Sequence, residues 1–140
     1  MRLQTHFPIL LAALFALLLQ SCSAEKQFAR RLSGEWNIER YAATETTARN
    51  AEASALGTIR FRRNGTGEIR MKNILAENRS DDRVRPFQWG NTENTVTIRG
   101  DVNQLSKVWI VVENRRRTQV WKSTDGANTV QELRLTRSMQ

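Results

Sequence analysis

Between Gly34 and Arg137 the chain is a succession of short stretches in which apolar and polar residues alternate, most of them bounded by Gly, Asn, Asp or Pro. This alternation constrains the fold more than any other feature, because a period of two belongs to half-buried strands. Gly34 to Tyr41 predicts the first strand, with Trp36 and Ile38 on one face and Glu35, Asn37 and Glu39 on the other. The polar stretch Ala42 to Leu56, which holds no aliphatic larger than Ala before its last residue, predicts a long loop over one end. Gly57 to Arg63 and Thr66 to Asn73 follow as a hairpin, with Ile59, Phe61, Ile69 and Met71 facing inward. The Asn64-Gly65 between them suits a tight type I′ turn, whose two central residues need positive φ.

The charged segment Leu75 to Arg83 predicts a second loop, and Pro86 sits near the start of a fourth strand carrying Phe87 and Trp89. Val96 and Ile98 mark the fifth. Arg99-Gly100-Asp101 matches an adhesion tripeptide, yet Gly-Asp is ordinary turn chemistry, so the match carries no weight. Lys107 to Glu113 is apolar on both faces, with Val108, Ile110 and Val112 opposite Trp109 and Val111, which implies contact beyond a barrel interior. The tip Asn114 to Arg117 leads to Thr118 to Ser123, with Val120 and Trp121. Thr129 to Arg137 ends the series with Leu133 and Leu135 inward. Eight short strands joined mostly by hairpin-length turns must bury one face and hide two edges, and closure does both. The fold expected is all-β: an eight-stranded antiparallel up-and-down barrel behind a short N-terminal helix, since Phe28 and Leu32 lie four apart within Glu25 to Leu32.

Ahead of the barrel, Arg2 precedes an apolar run from Phe7 to Leu19, too short for the roughly 20 residues of a membrane span and suited to a secretory signal. Leu19-Gln20-Ser21-Cys22 comes next and resembles a bacterial lipobox, which implies that Cys22 becomes the first mature residue and carries lipid on its sulfur and amine. Cys22 is the only cysteine, so it has no disulfide partner within the chain. A single acyl chain holds a protein to a membrane only marginally, whereas two or three hold stably. The resulting layout is a signal peptide at 1–21, an anchor linker and helix at 22–33, and a barrel domain at 34–140. Ser23, where many inner-membrane lipoproteins have Asp, points to the outer membrane.

The sole histidine, His6, leaves with the leader. A mature chain without histidine or free thiol excludes histidine acid/base catalysis, cysteine nucleophiles and ordinary zinc sites. Asp81-Asp82 and the pair Glu35 and Glu39 are the remaining conventional catalytic groups, and neither forms the enclosed carboxylate pair that acid/base work needs. The reading is non-enzymatic, with no cofactor and no metal.

Leu32-Ser33-Gly34-Glu35-Trp36, the Asn64-Gly65 hairpin and Leu133-Arg134-Leu135-Thr136-Arg137 together resemble the lipocalin-like lipoproteins common in Bacteroidetes-type bacteria. The resemblance implies that Trp36 plugs the closed end of the barrel beneath a basic residue of the last strand. Arg137 fits that role by sharing the parity of Leu133 and Leu135, with Arg134 the alternative if the strand slips by one residue. It also implies a ligand-binding interior. The C-terminal helix and disulfide of larger lipocalins have no counterpart, and a short barrel with Trp36, Phe61, Phe87 and Trp89 inward can fill itself. Cavity and filled core both stand at this point, over Ile38, Ile59, Phe61, Ile69, Met71, Phe87, Trp89, Val96, Ile98, Leu133 and Leu135.

Net charge is +8, and loss of Arg2 with the leader takes it to +7. Basic residues cluster at Lys26, Arg30 and Arg31, at Arg60, Arg62, Arg63, Arg70 and Lys72, and at the tip Arg115, Arg116 and Arg117. Such a balance on an exported, membrane-tethered domain favours anionic envelope components, with nucleic acid excluded by compartment. The expected function is binding of a small hydrophobic or amphiphilic ligand by a lipid-anchored protein. The alternative is a protein-interaction or inhibitor module with a self-filled barrel, in which strand six and the Arg115 to Arg117 tip form the contact.

Overall fold

The structure is a computed structural model and describes residues 24–45, 50–71, 84–124, 126 and 129–139. Cys22, the leader and the predicted loop Leu75 to Arg83 lie outside the described residues. A helix α1 at residues 24–32 precedes eight strands: β1 (Gly34–Glu45), β2 (Asn50–Phe61), β3 (Thr66–Met71), β4 (Val84–Asn91), β5 (Thr95–Arg99), β6 (Val108–Asn114), β7 (Thr118–Thr124) and β8 (Thr129–Arg137). Every strand pairs antiparallel with its sequence neighbour, and β1 pairs with β8, so the sheet is a closed up-and-down barrel. Closure leaves no edge strand among the described residues.

The first predicted loop is corrected. Within Ala42 to Leu56, residues 42–45 and 50–56 belong to the long ends of β1 and β2, where Ala42 pairs with Glu52 and Thr44 with Asn50, and residues 46–49 lie outside the described residues. On its other side this part of β1 pairs with β8, through Ala42 with Glu132 and Ala43 with Gln131. Backbone hydrogen bonding on both sides holds a strand that lacks large apolar side chains. A register shift between Ile38 and Arg40 changes the parity of β1, so that Tyr41 falls opposite the inward Leu133 and Arg40 opposite Arg134.

The hairpin at Asn64-Gly65 is present, but its turn is of another class. Gly65 N–H donates to Arg62 O at 3.2 Å and Arg62 N–H to Thr66 O at 2.8 Å, with Gly65 alone at φ +81°. This is a three-residue loop ending in a glycine bulge. Asn64 Oδ1 braces it, accepting from Thr66 N–H at 3.1 Å and Thr66 Oγ1 at 2.7 Å.

The strand ends that begin β1 and finish β8 define one end of the barrel, and α1 lies across it. Arg31 donates to Asn114 O at the end of β6 and Asn91 Nδ2 at the end of β4 donates to Glu25 O, at 3.0 and 3.1 Å. Phe28 and Leu32 are buried against Trp36. We call this the closed end. Inside it Phe61 meets Phe87, Trp89 and Trp121 edge-on, with centroids 5.5, 5.4 and 5.8 Å away. Ile38, Ile59, Ile69, Val96, Ile98, Leu133 and Leu135 are buried with them, as the strand parity predicts. Met71 is the exception: at the last position of β3, opposite Gly57, it is 38% exposed because no side chain on β2 covers it.

Candidate functional site

The closed end is solid. Trp36 is fully buried, and the Arg137 guanidinium lies 4.6 Å from its ring centroid while donating to Ser33 O at 2.9 Å. The Trp36 indole N–H in turn donates to Leu32 O at 2.7 Å. Gly34, at φ +122°, is required twice over, since a Cβ there would lie 2.9 Å from Arg137 Nη1. The motif Leu32-Ser33-Gly34-Glu35-Trp36 is therefore the seat of this stack, and Arg137 rather than Arg134 occupies it. A cation over an indole contributes about 0.5–2 kcal/mol.

At the opposite end the filling stops short of the rim. A cavity of about 260 Å³ is lined by Ile38, Tyr41, Leu56, Ile69, Met71, Arg85, Val102, Gln104, Leu105 and Leu133. Ile38, Ile69 and Leu133 are buried and form its floor, while Met71 and Gln104 are exposed at its mouth. A 3-10 turn at Asn103–Leu105, between β5 and β6, tucks Val102 and Leu105 into the opening as a partial cover. Leu105 O accepts the Trp109 indole N–H at 3.0 Å, which ties this cover to the wall. The strand-six residue Trp109 thus supports the cavity from behind. Beside it Lys107 donates to Gln131 Oε1 and lies 5.6 Å from the Trp109 ring centroid.

Of the residues expected to line a cavity or fill a core, Ile38, Ile69, Met71 and Leu133 line the cavity, whereas Ile59, Phe61, Phe87, Trp89, Val96, Ile98 and Leu135 fill the barrel beyond it. Sequence reasoning missed Tyr41, Leu56, Arg85, Val102, Gln104 and Leu105. For Arg85 a signal existed, because it is in phase with Phe87 and Trp89 along one strand. Starting that strand near Pro86, when β4 begins at Val84, concealed it. Tyr41 was hidden by the register shift. It is half-buried, and burial raises its pKa above 10.0, so the phenol is neutral across the ordinary pH range.

While Arg40, Arg70, Arg85, Arg99, Lys107 and Lys122 lie elsewhere on the barrel, one group of basic residues stands at the closed end. The β2–β3 turn carrying Arg62 and Arg63, the β6–β7 tip and α1 with Lys26, Arg30 and Arg31 all stand there. The tip residues Arg115, Arg116 and Arg117 are exposed, and the buried Gln119 holds the tip's backbone by donating to Arg115 O at 3.0 Å and Asn114 Oδ1 at 2.8 Å. Arg115 also pairs with Glu113 at 3.2 Å. On the outer wall Glu35 pairs with Arg60 at 2.5 Å and Glu68 with Arg62 at 2.7 Å. That arrangement leaves Glu35 and Glu39 outside the barrel, while Asp81-Asp82 lies outside the described residues. Among the described residues no three His, Cys, Asp or Glu side chains stand close enough together to hold a metal ion. The outward row of β6 is bare: Val108, Ile110 and Val112 are 53%, 55% and 58% exposed.

The Arg99-Gly100-Asp101 tripeptide lies at the end of β5. A Cβ on Gly100 would approach Pro86 O to 3.1 Å, so packing accounts for the glycine.

No protein-family model matches the chain, and no curated protein matches it. Among solved structures it is similar to a redesigned β-barrel, with a TM-score of 0.44 and 15% identity over 79% of this chain and 95% of that one.

Proposed function

We propose that this is a non-enzymatic, lipid-anchored, lipocalin-like protein that holds a small amphiphilic molecule in the open end of its barrel. The observation that carries the reading is the cavity, with its aliphatic floor and polar mouth. At about 260 Å³ it is somewhat smaller than the roughly 300–1,000 Å³ of pockets for drug-sized ligands. With about 30 Å³ per water-sized group it takes roughly nine non-hydrogen atoms.

The tether is Cys22, lipidated after removal of the leader and addressed to the outer membrane. In support, α1 begins two residues after Cys22, and a chain covers at most about 3.6 Å per residue, so the lipid stays beside the closed end. Basic groups there are attracted to an anionic lipid surface by about 1 kcal/mol each. The mouth then faces away from the membrane.

Calorimetric titration with short straight-chain amphiphiles tests the binding reading. Saturable one-to-one binding is expected, and Met71→Trp, which closes the mouth at a solvent-facing position, should abolish it. Absence of binding by every such chain would sink the proposal. Mass spectrometry of the processed N-terminus checks the anchor: acyl mass is expected on Cys22 and absent from Cys22→Ser.

The bare row Val108, Ile110 and Val112 favours a second reading, a protein-interaction module. Cross-linking in the native envelope with and without Ile110→Lys addresses it, since an unchanged set of cross-links counts against any partner on β6.

A further inference from the structure

We infer that the cavity selects single-chain carboxylates, with Arg85 as the partner of the carboxylate head. This rests on the ligand-binding reading above and adds the class of ligand.

Arg85 pairs across the sheet with the inward Ile69 and shares the parity of the buried Phe87 and Trp89, so its side chain belongs to the barrel's inner face. There it joins seven aliphatic residues, Ile38, Leu56, Ile69, Met71, Val102, Leu105 and Leu133, around the empty volume. Tyr41 and Gln104 complete the lining, and among the described residues no carboxylate contributes to it. A guanidinium does not deprotonate in proteins, so Arg85 cannot lower the cost of facing an apolar space by becoming neutral. It needs an anion or water.

The cavity supplies what such an anion would bring with it. Its floor is buried and aliphatic, and its polar members include the exposed Gln104 and the half-buried Tyr41 and Arg85. A molecule matching that gradient has an apolar tail and a compact head with acceptor atoms. The planar fork of Arg85 accommodates a carboxylate through two parallel N–H···O bonds, a geometry that an alcohol or a neutral ester does not offer. The neutral Tyr41 hydroxyl and the Gln104 amide are further donors at the same rim. Lys107 is engaged by Gln131 and the Trp109 ring and does not line the cavity.

The test compares octanoate with 1-octanol, two chains of nearly equal size, by calorimetry on the purified full chain at neutral pH and low salt. Octanoate is expected to bind about ten- to a hundredfold more tightly. Arg85→Gln should bring the octanoate-to-octanol ratio close to one, and Arg85→Lys, which keeps the charge and loses the fork, should give an intermediate ratio. Should Arg85→Gln fail to fold, a ratio for Arg85→Lys below that of the wild type supports the assignment and an unchanged ratio overturns it. Equal binding of both ligands by the wild type, or a preference that survives Arg85→Gln, overturns the carboxylate inference and leaves the ligand-binding reading standing. Binding of neither ligand overturns the carboxylate inference, and the ligand-binding reading falls with it when the other short straight-chain amphiphiles also fail to bind.

Discussion

At the closed end, Trp36, Phe61 and Trp121 are fully buried, Phe87, Trp89 and Trp121 meet Phe61 edge-on, and the polar atoms of the stack are matched. Trp36 donates to Leu32 O, Arg137 to Ser33 O, and Trp89 to Arg62 O and Thr66 O. At the open end aliphatic side chains surround an unfilled volume, and a guanidinium stands among them. The same eight strands build both, so the difference lies in the side chains sent inward. Large rings along one half leave no room for a guest, whereas branched and linear side chains along the other half leave a space that, among the described residues, the 3-10 turn partly covers. Dense packing and open volume thereby fall in separate halves of one barrel.

The contrast breaks most easily at Trp36. Trp36→Ala is expected to cost about 3–5 kcal/mol, read as a lowered urea midpoint, because it empties the centre of the packed half. A loss no larger than that of an open-end variant would remove the distinction between the ends. Gly67→Ala probes the same half by overfilling it. The new Cβ would lie 2.6 Å from Arg60 O and against the Phe87 ring, for an expected loss of about 1–3 kcal/mol in the same unfolding experiment.

At the open end Met71→Ala should change the midpoint by about 0.5 kcal/mol or less, since Met71 is part-exposed and packs only at the rim. Its effect should appear in ligand affinity instead. The smallest expected signal comes from Tyr41, the only tyrosine in the chain. Its folded pKa is raised by burial, so the stability it contributes is complete below the unfolded pKa and is lost as pH climbs through the higher folded value. Phenolate absorbance should therefore rise at a more alkaline pH in the folded protein than in urea. A ligand in the cavity should delay it further.

How legible this was in the sequence follows the same division. The closed half announces itself through large rings at period two, and Trp36, Phe61, Phe87 and Trp89 all face where alternation puts them. Parity favoured Arg137, and the register that pairs it with Trp36 sets aside the one-residue slip that would have put Arg134 there. The open half depends on features that alternation does not carry. A single register shift in β1 reverses the parity beyond Ile38 and brings Tyr41 inward. Ala42 to Leu56 looked like a loop because small residues give no amphipathic signal, yet residues 42–45 pair with β2 and β8, and residues 50–56 extend β2 beside β1. Val102 and Leu105 belong to a turn, whose inward residues follow no period. The lipocalin resemblance directed attention to Trp36 and Arg137, which stack at the closed end, and it said nothing of Arg85.

The Arg137 stack also sets an order of events. Arg137 and Ser33, joined in it, are 104 residues apart in sequence. Bringing the two ends of so long a segment together is entropically costly, and folds dominated by such distant pairings form in milliseconds to seconds rather than microseconds. Each hairpin from β2 to β8 can zip from its own turn, but β1 has no partner on one side until β8 exists. Synthesis delivers the N-terminal end first. Leu32, Trp36 and Ile38 must therefore remain exposed while the rest of the chain emerges, and the arrival of Arg137 acts as the latch that ends this exposure.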